Sequence, residues 1–307
     1  MFGLRNYLRR EHKLAKIICV GGGKGGTGKS SVAVNMSVLL VEKGFRVLLV
    51  DADVESPVDH LLLGITRKKV GEVRSFLPRI DPEKCIRCGA CTNACPEHAL
   101  IGLRGQVPTL LRELCEGCKL CYYVCPVKAI RDDHRVIGEI YEGSDGLIHL
   151  IQGEVLPGVK QHVNVTVATI RYGEGLFEKY DYVIIDTAPG TGANIWFPLI
   201  KSDLAIAVTE PTPLGANDLH RYLELVKKAQ KRFIVVLNKA NIPGGRKELV
   251  KKVVKRYEGD DIIEIPYDKE FLESYIKSKL IASLSLNSGV TKALRELIRK
   301  ALTMLES

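Results

Sequence analysis

A doubly wound α/β fold with a mostly parallel sheet, interrupted by a small α+β domain, is predicted by three features of this 307-residue chain. The apolar segment 17–20 runs into a glycine-rich loop and then into a segment with helical apolar spacing. Four later apolar segments of strand length each end in polar residues, which is typical of parallel strands at a ligand crevice. Eight of the nine cysteines fall within 85–125, in two copies of one pattern.

The glycine-rich loop carries a phosphate-binding motif. Residues 23–30 satisfy G-x4-G-K-[ST], and the strand before them and the helix after them are the context in which this motif binds nucleotides. Glycines let backbone N–H groups close around phosphates, and the helix N-terminus adds a favourable dipole. Lys29 is predicted to reach the β- and γ-phosphates, and Ser30 to ligate Mg²⁺. The predicted nucleotide-binding residues of this P-loop are Gly23, Lys24, Gly25, Gly26, Thr27, Gly28, Lys29, Ser30 and Ser31.

Carboxylates follow two of the predicted strands. Asp51 and Asp53 come directly after the strand 47–50, and Asp186 follows the strand 182–185. A carboxylate at the C-terminal end of a parallel strand points into the ligand crevice. Positioning of water and of the metal supplies much of the catalysis in phosphoryl transfer. The sequence therefore predicts a Mg²⁺-dependent ATPase.

The cysteines predict two [4Fe–4S] clusters. Both runs read C-x2-C-x2-C-x3-C-P, the ligand pattern of bacterial-type ferredoxins, in which the fourth cysteine of each run binds the other cluster. Disulfides would need an oxidising compartment, and zinc normally uses paired C-x-x-C units. The ninth cysteine, Cys19, lies in an apolar strand and is expected in the core. The predicted ligands are Cys85, Cys88, Cys91 and Cys125 for cluster 1, and Cys95, Cys115, Cys118 and Cys121 for cluster 2.

A second lysine, Lys24, stands at the front of the segment KGGTGKS. This segment resembles the deviant Walker A motif of the MinD/ParA superfamily, which also contains the nitrogenase iron protein and the Mrp-type cluster carriers. The resemblance implies a dimer with nucleotide between the subunits, in which Lys24 reaches the partner's nucleotide. The dimer would form between two copies of the chain or with a paralogue.

The same resemblance implies roles for other residues. Lys24, Lys29 and Asp53 would be catalytic, with Asp53 positioning or deprotonating the attacking water. Mg²⁺ would be held by Ser30 and, through water, by Asp51 and Asp186. Two more positions are expected beside the nucleotide: Asn238, after the strand 233–237, and Pro211, in the loop after the strand 204–208.

The chain departs from the family pattern in two places. Many relatives with an inserted ferredoxin domain carry a cysteine soon after the glycines that follow the Walker B strand, whereas 192–195 has none. The C-x-x-C pair by which simple Mrp-type carriers bridge a cluster between subunits is also missing near the C-terminus. A delivered cluster would therefore come from the insert or from a partner chain.

The predicted organisation is an ATPase in two parts around an inserted ferredoxin domain. The first part is 1–80, the two-cluster insert is 81–133, and the second part is 134–307. Short alternating runs at 148–151 and 163–167 are read as strands. The segment 290–305 is predicted to be a helix that docks on the sheet.

Composition limits the partners. The net charge is +9, but the basic residues are dispersed along amphipathic helices, so solvated helix faces explain them and no nucleic acid is expected. Apolar stretches fall short of the roughly 20 residues that span a bilayer, so a cytoplasmic protein is expected. The basic segment 2–13 is read as a short helix leading into the first strand, with membrane or partner contact as the alternative.

Two functional classes fit these features. In the first, ATP drives iron–sulfur cluster or metal-cofactor assembly on a client protein. In the second, ATP gates electron transfer from the ferredoxin clusters to a partner enzyme. Family membership favours the first class, and the complete four-cysteine sets favour the second. A weaker third class is an ATPase that positions itself on a membrane or on DNA and carries a redox sensor.

Overall fold

A computed structural model describes residues 15–23, 25–103, 105–259, 262–269, 273 and 288–306. Among these residues the strands are β1 (Lys16–Gly21), β2 (Val47–Asp51), β3 (Arg67–Ile80), β4 (Leu100–Ile101), β5 (Thr109–Leu110), β6 (Ile130–Ser144), β7 (Ile148–Val155), β8 (Tyr182–Asp186), β9 (Leu204–Thr209), β10 (Arg232–Leu237) and β11 (Ile262–Glu264). The α-helices are α1 (Lys29–Glu42), α2 (Asp59–Leu63), α3 (Ala90–Asn93), α4 (Leu120–Tyr123), α5 (His162–Glu174), α6 (Ala193–Lys201), α7 (Pro213–Lys228), α8 (Lys247–Arg256) and α9 (Gly289–Glu306).

Nine strands form one sheet in the order β11-β10-β9-β1-β8-β2-β7-β6-β3. The strands from β11 to β7 pair in parallel, and β6 and β3 are antiparallel at the other edge. The central strands β2 and β8 are buried at every residue, because helices cover both faces of the sheet. The prediction of a mostly parallel doubly wound sheet is confirmed.

Helices cover both faces of the parallel part. On one face α1 and α9 share a core with apolar residues of β1 and β2, and α9 buries Leu294, Leu297 and Ile298 there. The other face holds α5, α6, α7 and α8. The prediction that the C-terminal helix docks on the sheet is confirmed. None of the described helices combines the length and apolar character that a bilayer crossing requires.

The strand predicted at 163–167 is wrong, because these residues belong to α5. Their alternating valines have high β-propensity, but tertiary packing decides the outcome. The buried residues of α5 include Val165, Thr166, Thr169 and Ile170, a helical spacing that places one face on the sheet. The strand predicted at 148–151 is present as the first half of β7.

The long strands β3 and β6 form an antiparallel ribbon that extends from the edge of the sheet. Arg67 pairs with Gly143 at one end of the ribbon, and Ile80 pairs with Ile130 at the other. Residues 81–129, which contain both cysteine runs, connect the two strands at that far end. At about 3.3 Å per residue, β3 itself is some 40 Å long from Arg67 to Ile80.

Cys19 is fully buried in β1, as expected of a core residue. Burial raises its pKa to about 12. At about pH 8 the thiolate is then only about one part in ten thousand. We expect iodoacetamide to leave Cys19 unmodified in the native protein and to label it after denaturation, as peptide mass spectrometry would show. Labelling of Cys19 in the native state would contradict this placement.

Candidate functional site

The predicted phosphate loop joins β1 to α1 in the order strand, loop, helix. Gly26 and Gly28 have φ angles of 77° and 94°, in the left-handed region that favours glycine. A Cβ on Gly28 would lie 2.3 Å from Nδ2 of Asn238, so this position also needs glycine for space. The N–H groups of the first turn of α1 point into the loop, where they are available to an anion.

A cleft of about 750 Å³ opens above this loop at the C-terminal ends of the parallel strands. It is lined by Gly25, Gly26, Gly28, Lys29, Ser30, Ser31, Asp53, Glu55, Ser56, Val58, Pro189, Asn238, Lys239, Ile265, Pro266, Tyr267 and Asp268. Of the other predicted loop residues, Thr27 is buried and Gly23 lies against Asp218. Lys24 lies outside the described residues, as does the basic segment 2–13.

Lys29 is only 6% exposed. Burial lowers its pKa, and the negative charges of Asp186 and Asp53 oppose that shift. Burial raises the pKa of Asp53, and Lys29 counteracts it. Asp53 thus faces the cleft beside the lysine, where a carboxylate can orient a water molecule.

Three carboxylates lie behind the cleft. Asp51, Asp59 and Asp186 are each fully buried, and one oxygen of each lies within 4.8 Å of the others. Burial raises the pKa of Asp51 to about 7, and burial together with the Asp51 charge raises that of Asp186 well above its usual value. The Ser30 hydroxyl acts in the opposite direction on Asp186. This oxygen-rich set fits Mg²⁺, which takes carboxylate, hydroxyl and water ligands.

Asp51 also organises the loop that leads from β2 to α2. Its Oδ1 accepts the N–H of Asp53 at 3.2 Å, and its Oδ2 accepts the N–H groups of Val58 and Asp59 at 3.0 and 3.2 Å. The side chain of Gln152 donates to the same Oδ2 at 2.5 Å. We call residues 53–59 the switch segment, because the position of this backbone depends on a carboxylate of the candidate metal site.

The two positions predicted to contact the nucleotide outside the P-loop are placed differently. Asn238 lines the cleft, but its Nδ2 donates to the carbonyl of Thr27 at 2.8 Å, so the amide braces the phosphate loop. Pro211 is buried, and its carbonyl accepts the N–H of Arg246 at 2.7 Å. Their nucleotide contacts stay predictions.

The cysteines surround two separate cavities. The first is lined by Cys85, Cys88, Cys91 and Cys125, together with apolar residues that include Ile80 and Ile130. The second is lined by Cys95, Cys115, Cys118 and Cys121, together with residues that include Phe76 and Leu100. Each cavity thus takes three cysteines from one run and the fourth from the other. Four sulfur atoms around an apolar cavity are a donor set that fits a [4Fe–4S] cluster.

The two runs adopt matching backbone conformations. Each position of the second run follows its counterpart by 30 residues, as Cys115 follows Cys85. Left-handed φ angles recur in register, at Arg87 and Gly117, Gly89 and Lys119, and His98 and Lys128. In both copies the fourth cysteine Sγ accepts a backbone N–H four residues on at 3.3 Å, from Ala99 and from Ala129. The segment is therefore a structural duplication as well as a sequence duplication.

The second run contacts both strands of the ribbon. Arg135 of β6 donates to the carbonyls of Arg112 and Cys115, both at 2.7 Å. A Cβ on Gly117 would lie 2.2 Å from the side-chain oxygen of Ser75 in β3 and 3.1 Å from the carbonyl of Phe76. The loop of the second run is thereby held against the ribbon.

Several residues of the site were missed from the sequence. Tyr267 and Asp268 line the cleft after β11, and an apolar strand ending in polar residues was the available signal. Asp59 is one of the three clustered carboxylates, and Gln152 donates a hydrogen bond to another of them, Asp51. A polar residue within the apolar run of β7 was the signal for Gln152, and nothing local distinguished Asp59 from an ordinary helix start.

Comparison with known proteins agrees with this geometry. A family model described as the CobQ/CobB/MinD/ParA nucleotide binding domain matches residues 18–281. An uncharacterized protein of Methanocaldococcus jannaschii is 34% identical over 86% of this chain and 90% of its own length. The iron-sulfur cluster carrier protein of Pyrococcus horikoshii is 26% identical over 86% of this chain and 78% of its own.

Among solved structures, the cell division ATPase MinD of Pyrococcus furiosus shares the fold. Its TM-score is 0.60 at 19% identity, over 95% of this chain and 100% of that one. With the phosphate loop, the cleft above it and the family match over most of its length, the chain belongs to the CobQ/CobB/MinD/ParA family of nucleotide-binding proteins.

Proposed function

We propose that the protein is an ATP-hydrolysing iron–sulfur protein whose nucleotide state drives iron–sulfur cluster or metal-cofactor assembly on a client protein. The observation that carries the proposal is the presence of two kinds of site in one chain. A nucleotide cleft lies at the strand ends, and two complete four-cysteine cavities lie at the tip of the β3–β6 ribbon. The similarity to a protein named as an iron-sulfur cluster carrier supports assembly as the outcome.

In this proposal the residues of the cleft divide the work of hydrolysis. The glycine loop and the N-terminus of α1 bind the phosphates, and Lys29 neutralises their charge. Asp53 orients the attacking water. Ser30 would hold Mg²⁺ directly, and Asp51 and Asp186 would hold it through water, so that the ion would supply positive charge beside the phosphates. The deep burial of Asp51 and Asp186 keeps these acceptors fixed before the nucleotide arrives.

The proposal includes the dimer that the family resemblance implies, with Lys24 reaching the nucleotide of a partner subunit. It also places the protein in the reducing cytoplasm, where thiolate ligands persist. The insert is taken as 81–133. Its cysteines would hold the clusters in the two crossed sets, and such clusters transfer single electrons when bound.

ATP-gated electron transfer is the second candidate, and one observation favours it. Each cavity has four cysteines of this chain around it, so a cluster in either one needs no ligand from a client. A fully ligated cluster is suited to stay in place and pass electrons. The third class, positioning on a membrane or on DNA, would require ATP-dependent binding to anionic liposomes or to duplex DNA.

One anaerobic experiment separates these functions. The clusters are loaded and reduced, then MgATP or MgADP is added with an iron chelator, while cluster absorbance and EPR spectra are recorded. For an assembly factor we expect iron to reach the chelator faster with MgATP than with MgADP. Clusters that stay bound but change their EPR line shape with MgATP would instead indicate gated electron transfer. Identical behaviour in both nucleotides would contradict both functions.

A further inference from the structure

The nucleotide cleft and the ribbon are joined by one row of residues that crosses the sheet. In the strand register Asp186 of β8 lies beside Asp51 of β2, and Asp51 lies beside Gln152 of β7. Gln152 is paired with Tyr141 of β6, which in turn is paired with Lys69 of β3. The row therefore begins at the candidate metal site and ends at the base of the strand pair that carries the cysteines.

Gln152 is the central member of this row, and it is fully buried. Its Nε2 donates to Asp51 at 2.5 Å, and its Oε1 accepts from Nη1 of Arg67 at 2.8 Å. Rotating the amide by half a turn would set its oxygen against the carboxylate and its NH₂ group against the guanidinium. Both contacts would then be lost in a buried setting, so one orientation is strongly preferred.

Arg67 is the first residue of the edge strand β3, and its side chain contacts the next two strands of the sheet. Its Nη2 lies 2.7 Å from a carboxylate oxygen of Glu154 in β7, and its guanidinium lies 4.2 Å from the ring centroid of Tyr141 in β6. The Arg67 side chain is only 21% exposed, so these contacts are largely shielded from water. A planar guanidinium that bonds two different side chains and lies over an aromatic ring fixes orientation in a way that a lysine cannot reproduce.

The chain itself makes a second connection. The switch segment runs directly into α2, and only residues 64–66 separate α2 from Arg67. A Cβ on Gly143, the partner of Arg67 in the ribbon, would lie 2.6 Å from a side-chain carbon of Ile65, so this connection is tightly packed. A movement of the switch segment therefore reaches the base of the ribbon without a flexible linker.

We propose that Arg67 is a positioning residue which, through Gln152, couples the Asp51 carboxylate and the switch segment to the ribbon that carries the two cysteine cavities. When a bound nucleotide and its metal interact with Asp51, the hydrogen bond from Gln152 to Asp51 changes. The contact between Gln152 and Arg67 then transmits this change to β3 and β6. This inference rests on the proposed function, because it explains how ATP bound in the cleft would act on groups held by the cysteines that the ribbon carries.

Hydrogen–deuterium exchange tests the coupling on the full-length, cluster-loaded protein under anaerobic conditions. Exchange is compared with and without a nonhydrolysable ATP analogue and Mg²⁺, in the switch segment and in 67–80 and 130–144. In the native protein we expect exchange to slow about fivefold or more in all three segments, the size of an ordinary coupling free energy. In Arg67→Met the switch segment should still respond, and the ribbon response should fall to less than about twofold.

Arg74→Met is the matched control. Arg74 lies in the same strand and bonds Glu72 and His134, but it is exposed, and none of its described contacts is with Gln152 or Arg67. It should behave like the native protein. If Arg67→Met does not fold, Gln152→Asn makes the same break by shortening the buried amide by one methylene group.

The possible failures point to different conclusions. A native protein whose switch segment does not respond to the analogue overturns the proposed nucleotide function, and the coupling with it. A native protein whose switch segment responds while the ribbon does not overturns the coupling alone. A ribbon response that survives in both Arg67→Met and Gln152→Asn shows that the signal takes another route and overturns the role of Arg67.

Discussion

Replacing Lys29 by alanine is expected to lower the rate of ATP hydrolysis by about 100-fold or more, the usual loss when a preorganised group that stabilises transition-state charge is removed. Lys29 lies at the first turn of α1, almost fully buried, with the charges of Asp53 and Asp186 acting on it. Without its ammonium group, these carboxylates would face the phosphates with one less positive charge between them. Phosphate release from MgATP measures the loss.

The same variant tests whether the two sites are separate. None of the described residues of the phosphate loop lines a cysteine cavity, so iron content and the EPR spectrum should stay at native values. Lys43→Ala is the matched control, because Lys43 is an exposed residue directly after the same helix. Hydrolysis at the native rate in Lys29→Ala would show that the cleft is not the site of the reaction.

Sequence reasoning is strongest where the residues of a predicted site are close together in the chain. The phosphate loop and the two cysteine runs are continuous segments, and their spacing alone predicts which atoms can converge. The crossing of Cys95 and Cys125 came from the likeness to the two-cluster ferredoxin pattern, because spacing alone is also compatible with uncrossed ligation. The structure brings these residues around the two cavities in the predicted sets.

The parts that escaped prediction are those that tertiary packing decides. Apolar and polar residues alternate along 163–167 as they would in a strand. These residues nevertheless belong to a helix, and its buried side chains pack in the core on that face of the sheet. Gln152 and Arg67 are 85 residues apart and meet only because β7 lies beside the ribbon. Nothing in a single sequence distinguishes them from other polar residues in strands.

The second large expected effect concerns the cysteine that ends each run. Cys125→Ala should remove the cluster of the first cavity and leave that of the second, so that iron falls from about eight to about four atoms per chain. Cys95→Ala should do the reverse. In both variants ATP hydrolysis should continue, since no cysteine lines the nucleotide cleft as the structure describes it. Iron analysis and EPR of the reduced protein give the readout.

Two double variants decide whether the ligands cross between the runs. Cys88 and Cys125 line one cavity although they belong to different runs, so Cys88→Ala with Cys125→Ala should keep about four iron atoms. Cys118 and Cys125 belong to the same run but line different cavities, so Cys118→Ala with Cys125→Ala should lose almost all iron. Uncrossed ligation requires the opposite pair of results, because removing two cysteines of one run would then damage a single cluster. The pairwise comparison also cancels any general loss of stability, since each double variant removes two cysteines from the same small segment.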